Sequence, residues 1–462
     1  MVSHERLYEV YDRFDTNRLR ALRTFLDVFP PIDSPIGLEY WDRASTEFDR
    51  AGEPIRSSGP DGELLTSIAA RVDRDQAFTA LDLARRHDRQ VNVLVLDVDE
   101  TLRSAGGTDN EIPRETLSAL TRFYERETPI VICTGQTVEN VKGFAIQGLG
   151  SDLVHSGRFS IVYESGAGVF TPGHGEETKQ LLYDDLDDEI RETVERVRNR
   201  LFVDAPEPIR RGCHLQGNEF NVTLKSNYET GTERSREIVD NALVYLLDRL
   251  GDAVVSQHVG TETGGDDPPG DETGREGAGR TDRKAAGEDR GKADDDDSSE
   301  HAGRRITRSF YADSDPEIHD VLAHRGELPD ESTDGDGRSI GMDEETIRRT
   351  LERIDVAYYE ADAAEVTSLD LDKARGVERA FEVLSVSDPF ALVMGDSKTD
   401  LRVMEWVASN DAGISAAPTH ASQSVLDHVD ETDELRFPPG ASADILKAVE
   451  AMNRFVGADE GQ

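Results

Sequence analysis

Two cysteines in 462 residues, Cys133 and Cys213, exclude a disulfide framework and suit a reducing compartment. Cys133 lies inside an apolar, strand-like run and reads as a core residue. No apolar stretch approaches the length of a membrane span, and the first residues, Met-Val-Ser-His-Glu-Arg-Leu-Tyr, contain no apolar signal region. A soluble, cytoplasmic protein with no membrane partner is therefore expected. Positive charge is scarce beside negative: 52 Lys and Arg stand against 95 Asp and Glu, a formal net charge of -43. General nucleic-acid binders and binders of anionic membranes need a basic surface, so both classes are excluded.

The chain is long enough for two or three domains. Its acidic residues occur in every segment rather than in one tail, and arginine far outnumbers lysine. In this the composition resembles proteins of salt-accumulating halophilic archaea, whose carboxylate-rich surfaces hold water.

Residues 1–88 read as helical. Leu7, Val10, Tyr11 and Phe14, then Leu19, Leu22, Phe25 and Leu26, follow an amphipathic stripe. Pro30 and Pro31 end that stretch, and further helices are expected over 36–48 and 64–86. Nothing here suggests chemistry, so this region packs on the core or mediates association. From 91 the pattern changes to alternation: strand 91–97, helix 113–127, strand 129–134, helix 137–147 and strand 159–163. It lapses after about 171, where helices at 184–201, 232–250 and 343–354 and a strand at 219–225 stand apart. It resumes with helix 373–385, strand 389–394, helix 399–408, strand 412–416 and helix 441–454.

The expected fold class is therefore α/β, a Rossmann-like doubly wound parallel sheet core. The core is divided between 89–170 and 366–462, with an inserted α/β segment at 171–365 and the helical region at 1–88. Within the insertion, about 259–304 is rich in Gly, Asp, Glu and Arg with almost no large apolar residues. Burial cannot offset its ordering entropy, and disorder is expected there.

The chemistry gathers at expected strand ends. Val-Asn-Val-Leu-Val-Leu runs into Asp97-Val98-Asp99-Glu100-Thr101, where the period of two places both aspartates on one side of the chain. Thr134-Gly135 closes the next strand. Lys373 opens a helix, and Gly395-Asp396-Ser397-Lys398-Thr399-Asp400 follows Phe390-Ala391-Leu392-Val393-Met394. Carboxyl ends of strands are where open α/β sheets bind ligands.

In these four elements and their order the chain resembles the haloacid dehalogenase superfamily of phosphohydrolases, over residues 91–165 and 366–420. The resemblance implies that Asp97 is the nucleophile, attacking phosphorus to form an aspartyl phosphate. Asp99 would protonate the leaving oxygen and then deprotonate water. Thr101, Thr134 and Gly135 would bind the phosphoryl group, and Lys373 would cancel its charge and hold Asp97. Lys398 and Lys142 compete for that lysine role, with Lys398 expected to point outward. Mg²⁺ would sit on Asp97, the backbone carbonyl of Asp99, and Asp396, with Asp400 orienting one of its waters.

The insertion point resembles that of the larger, second-position cap of the sugar-phosphate phosphatases, and Tyr163-Glu164-Ser165-Gly166-Ala167 looks like their Asn-Gly-Ala turn with Ser for Asn. Arg210, Arg211, His214, Asn218, Glu219 and Asn221 are candidate cap contacts. Gln136 stands where Arg commonly follows Thr-Gly, Lys373-Ala-Arg-Gly replaces Lys-Gly, and Gly395-Asp396-Ser397 replaces Gly-Asp-Gly. The function implied is Mg²⁺-dependent hydrolysis of a small phosphorylated metabolite, a sugar phosphate foremost. A phosphomutase and a non-catalytic regulatory or scaffold protein are the alternatives.

Overall fold

The computed structural model describes residues 2–103, 112–261, 289–329 and 344–460. The strands are β1 (Val93–Asp97), β2 (Ile130–Cys133), β3 (Phe159–Tyr163), β4 (Gly168–Phe170), β5 (Lys179–Leu181), β6 (Cys213–Leu215), β7 (Val222–Ser226), β8 (Ile354–Tyr359), β9 (Ala363–Ser368), β10 (Ala391–Met394), β11 (Gly413–Pro418) and β12 (Leu435–Phe437). They form two sheets in two compact units. One unit is Met1–Leu182 with Asp372–Gln462, and the other is Tyr183–Leu371.

In the first unit eight strands run in the order β12-β11-β10-β1-β2-β3-β4-β5. All pairings from β12 to β3 are parallel, and β4 and β5 are antiparallel additions. Every residue of β1, β2, β3 and β10 is buried, as expected of strands covered on both faces by crossover helices. The chain winds from β1 outward through β2 and β3, then returns to pair β10 against the other edge of β1. This reversal of winding opens a crevice beyond the carboxyl ends of β1 and β10. The fold class is thus α/β with a doubly wound parallel core.

The N-terminal helices belong to this unit. Leu7, Val10 and Leu19 are buried in a cluster continuous with Leu94, Leu96 and Leu446 of the sheet and the last helix. The stripe departs from expectation at one position: Leu26 is buried while Phe25 is exposed, so the buried face turns away from it. The stretch expected as one helix over 64–86 is two, Gly62–Ala69 and Arg74–His87. Asp73 and Gln76 form a reciprocal capping box that starts the second helix, and this local bonding interrupts the apolar period. The helix Arg74–His87 packs along Ser442–Glu460.

Beside that contact lies a charged knot. The Glu450 carboxylate, 1% exposed, is met by Arg71 at 3.4 Å, Arg122 at 2.8 Å, Arg126 at 3.0 Å and Arg454 at 3.1 Å.

The second unit is an antiparallel sheet in the order β6-β7-β9-β8, with the helices Asp188–Arg200 and Glu233–Thr261 against it. Of the tract expected to be disordered, 262–288 lies outside the described residues. Residues 259–261 end the helix Glu233–Thr261, and 289–304 belong to the helix Asp289–Ser314, so there the expectation fails. Tertiary contacts supply what composition does not. Gly251 and Gly303 let the two helices approach until a Cβ on Gly251 would lie 2.8 Å from the Arg304 nitrogen. Arg304 then grips Asp252 at 2.6 and 2.9 Å, and Arg308 grips Asp248 at 2.8 Å through both nitrogens. No helix among the described residues is long and apolar enough to cross a membrane.

Candidate active site

The parallel register sets Asp97 beside Cys133 and Leu96 beside Met394, so Asp97, Thr134 and Gly395 come to one sheet end. There Lys373, 2% exposed, donates from Nζ to Asp97 Oδ1 at 3.0 Å and to Asp400 Oδ1 at 2.6 Å. Asp372 starts the lysine's helix by accepting from the Arg375 backbone nitrogen at 2.8 Å. Two glycines fix where that helix sits. Gly166 has φ +108° and lies so close to Asp372 that a Cβ would be 2.2 Å from its carbonyl oxygen. On the next turn a Cβ at Gly376 would be 2.3 Å from Val162 Cγ1.

Asp400 is anchored twice. One oxygen takes Lys373; the other accepts from the Ser397 backbone nitrogen at 3.0 Å and from the Ser397 hydroxyl at 2.6 Å, capping the helix Lys398–Ser409. Gly395 leaves the room, since a Cβ there would be 2.4 Å from Asp400 Cβ. Thr101, buried, donates its hydroxyl to Asp396 Oδ1 at 3.4 Å. Thr134 Oγ1 accepts from the Gln136 backbone nitrogen at 3.0 Å, while Ser165 and Glu164 bond back to the carbonyls of Thr134 and Gln136. Glu164 and Ser165 both adopt left-handed φ, 50° and 55°, strain held in the turn that braces Thr134-Gly135.

Asp97, Asp396 and Asp400 each offer an oxygen within 4.8 Å of the others. Burial pushes the Asp97 carboxyl well above its usual range, Asp400 and Asp396 add like charge, and Lys373 alone opposes them. Asp396 is pushed up to about 6, by burial first and by Asp400 next. Burial also works against the Lys373 charge, but Asp400 and Asp97 outweigh it and raise its pKa. Three carboxylates and one ammonium leave two negative charges in excess, the charge of one divalent cation. The donors are hard oxygens, which Mg²⁺ prefers, so the residues fit a magnesium ion.

Asp99 is placed differently. Its carboxylate accepts from Arg103 at 3.0 and 2.7 Å and from Gln136 Nε2 at 2.5 Å, and it is not part of the three-carboxylate group. Neither partner was singled out as functional from the sequence. Arg103 stands four residues after Asp99, a spacing that permits such a pair, but Gln136 reaches it only through the pairing of β1 with β2. Glu100, with φ 58°, lies 3.4 Å from His420. Lys398 is exposed, and Lys142 sits over the Phe170 ring, 4.9 Å from its centre.

The candidate residues of the insertion divide. Arg210, Arg211 and His214 are exposed, with Arg211 on Glu207 at 2.9 Å and His214 on Asn227 at 2.8 Å. Asn218 and Asn221 are buried, bonded to Thr223 at 2.6 Å and Glu365 at 3.4 Å; Glu219 is half-buried.

Fold and site together define a doubly wound α/β protein with a lysine-bridged carboxylate centre where the winding reverses. Solved structures similar to it include a Thermoplasma acidophilum protein at 11% identity, covering 79% of this chain and 100% of that one, TM-score 0.39. A haloacid dehalogenase-like hydrolase from Bacteroides thetaiotaomicron matches at 12% identity over 78% and 99%, TM-score 0.36. The trehalose-6-phosphate phosphatase of Aspergillus fumigatus matches at 10% over 82% and 97%, TM-score 0.38. No family model and no curated protein matches the sequence.

Proposed function

We propose that the protein is a Mg²⁺-dependent phosphomonoesterase of the haloacid dehalogenase superfamily, acting on a small phosphorylated metabolite, a sugar phosphate foremost. The observation that carries this reading is the buried Lys373 bridging Asp97 and Asp400 within reach of Asp396. Asp97 Oδ attacks phosphorus; an oxygen–phosphorus bond forms on Asp97 as the bond to the leaving alkoxide breaks. Asp99, steered by Arg103 and Gln136, gives the alkoxide its proton. It then takes one from the water that attacks the aspartyl phosphate, which releases inorganic phosphate and restores Asp97. Lys373 and the Thr134 hydroxyl balance charge on the phosphoryl oxygens, since positioning and neutralisation dominate such transfers. A magnesium ion held by Asp97, Asp396 and Asp400 would supply Lewis-acid polarisation of the phosphoryl group.

The inserted unit, joined between β5 and the Lys373 helix, selects the substrate in this reading. The net charge of -43 and the arginine bias support a cytoplasmic role at high salt. Phosphate release from p-nitrophenyl phosphate and a panel of sugar phosphates, in multimolar KCl with and without Mg²⁺, tests the proposal. Metal-dependent turnover without a bisphosphate activator, lost by at least about a thousandfold in Asp97→Asn, is expected. Equal turnover in Asp97→Asn would refute the nucleophile.

A further inference from the structure

A second concentration of charge shares no residue with the Asp97 centre. Where the helix Thr16–Val28 meets Arg114–Glu125 and Ser442–Glu460, a cleft of about 30 Å³ is lined by Arg23, Arg71, Arg122 and Lys447. Asp27 and Glu115 are the acidic groups on its wall. Arg23 pairs with Asp27 at 2.9 Å and Lys447 with Glu115 at 2.8 Å, while Arg71 and Arg122 turn to the buried Glu450 behind. With Arg126 and Arg454 also on Glu450 and Asp444 beside Lys447, six cations face four carboxylates.

A local surplus of two positive charges is unusual in a chain of net charge -43. The Arg71 Nε lies 3.4 Å from Glu450 without a hydrogen bond to it, and the Nε of Arg454, behind the cleft wall, is likewise buried and unbonded. Burial above all, with the like charges of Arg23 and Arg122, holds Arg71 down to about 10 although Glu450 and Asp27 oppose it. Buried donors of native proteins are almost always hydrogen-bonded, and Arg71 is the cleft residue whose Nε falls short of that.

We infer that the cleft binds a small tetrahedral oxyanion, of the class of inorganic phosphate and sulfate. Guanidinium groups match such oxyanions with paired, charge-assisted hydrogen bonds, which a halide does not return. Thr24 and Ser118 add hydroxyl groups to the same wall. A space of about 30 Å³ suits a compact ion of a few non-hydrogen atoms better than a larger ligand. Arg23 comes from the N-terminal helices and Arg71 follows the helix Gly62–Ala69, whereas Arg122 and Lys447 come from helices that flank the sheet. A bound oxyanion therefore ties the N-terminal region to the core.

Sulfate is the probe, titrated calorimetrically into the full chain at ionic strength held constant with KCl. Hydrogen exchange over residues 16–28 and 114–125 is followed in parallel. Saturable binding is expected, with exchange slowed in both segments and affinity at least tenfold weaker in the Arg23→Gln, Lys447→Gln double variant. Arg23→Lys keeps the charge and loses the fork, and serves if the double variant does not fold; it binds several-fold more weakly. Absence of saturable binding by the wild type overturns the inference. So does exchange slowed only elsewhere, or undiminished affinity in the variants.

Discussion

Lys373 and Asp97, 276 positions apart in sequence, share a 3.0 Å hydrogen bond in which both groups are buried. The same ammonium reaches Asp400 at 2.6 Å. Removing it leaves two buried carboxylates facing each other. Breaking a buried pair on one side costs about 3–5 kcal/mol, far more than the intact pair contributes. Lys373→Met should lose about that much stability in denaturant titrations without metal at pH 7. The loss should shrink when Mg²⁺ is added, because a dication replaces the missing charge. Adding Asp400→Asn to Lys373→Met should recover part of it.

Much of this centre is legible in the sequence. Val93–Asp97 and Ala391–Met394 are uniformly apolar runs that stop at acidic residues, and burial on both faces leaves such strands little alternative. What was not legible depends on contacts distant in sequence. The strands β8 and β9 mix polar residues into a half-covered antiparallel sheet, and Glu365 is buried only because Thr223 and Asn221 bond to it. The helix Asp289–Ser314 begins in an Asp-rich run whose composition argues for disorder. It owes its order to apolar residues further on, such as Ile306 and Tyr311, and to Gly251 on the facing helix. Asp400 read as a water-orienting residue. That it also caps its own helix is written in the Ser397-x-x-Asp400 spacing, whereas its hold on Lys373 is a tertiary contact that no spacing rule reveals.

Asp396 predicts how metal binding responds to pH. Its carboxyl is pushed up to about 6, by burial first and then by Asp400. A cation must displace the Asp396 proton and, since Asp97 is raised as well, a proton held there, so Mg²⁺ affinity should rise with pH through about 6. Below 6 it should fall at least about tenfold per unit. Calorimetric titration between pH 5 and 8 checks this. Asp396→Asn should bind Mg²⁺ weakly throughout, with the pH dependence flattened.

Gly166 and Gly135 lie in adjoining turns but should respond unequally to alanine. At Gly166 the new Cβ meets the Asp372 carbonyl at 2.2 Å, and φ is +108°, so the turn must leave the start of the Lys373 helix. A loss of about 2–3 kcal/mol is expected from strain and overpacking together. Turnover should fall as well, since Lys373 moves. At Gly135 the Cβ would meet only Ser165 Oγ, at an ordinary 3.6 Å. Gly135→Ala should be nearly neutral in stability. Thermal unfolding of the two variants side by side decides the matter.

Glu434, just before β12, links stability to pH without touching the active centre. Its Oε2 is buried without a hydrogen-bond partner, and burial raises its pKa from 4.5 to about 7 although Arg86 opposes the shift. A raised folded-state pKa means that the native protein holds this proton more tightly than the unfolded chain. The resulting stabilisation is fully present below pH 4.5 and is lost as pH rises through about 7. Glutamine stays neutral throughout and so keeps what glutamate loses. Glu434→Gln should therefore match the wild type near pH 4.5 and exceed it at pH 8 by about 1–2 kcal/mol, the group being partly solvated. The wild-type-minus-variant difference, measured by denaturant unfolding at constant salt, removes the titration of the other carboxylates, which the two proteins share. A difference that stays constant from pH 4.5 to 8 would show that Glu434 is ionised in the folded protein throughout, and that Arg86 outweighs its burial.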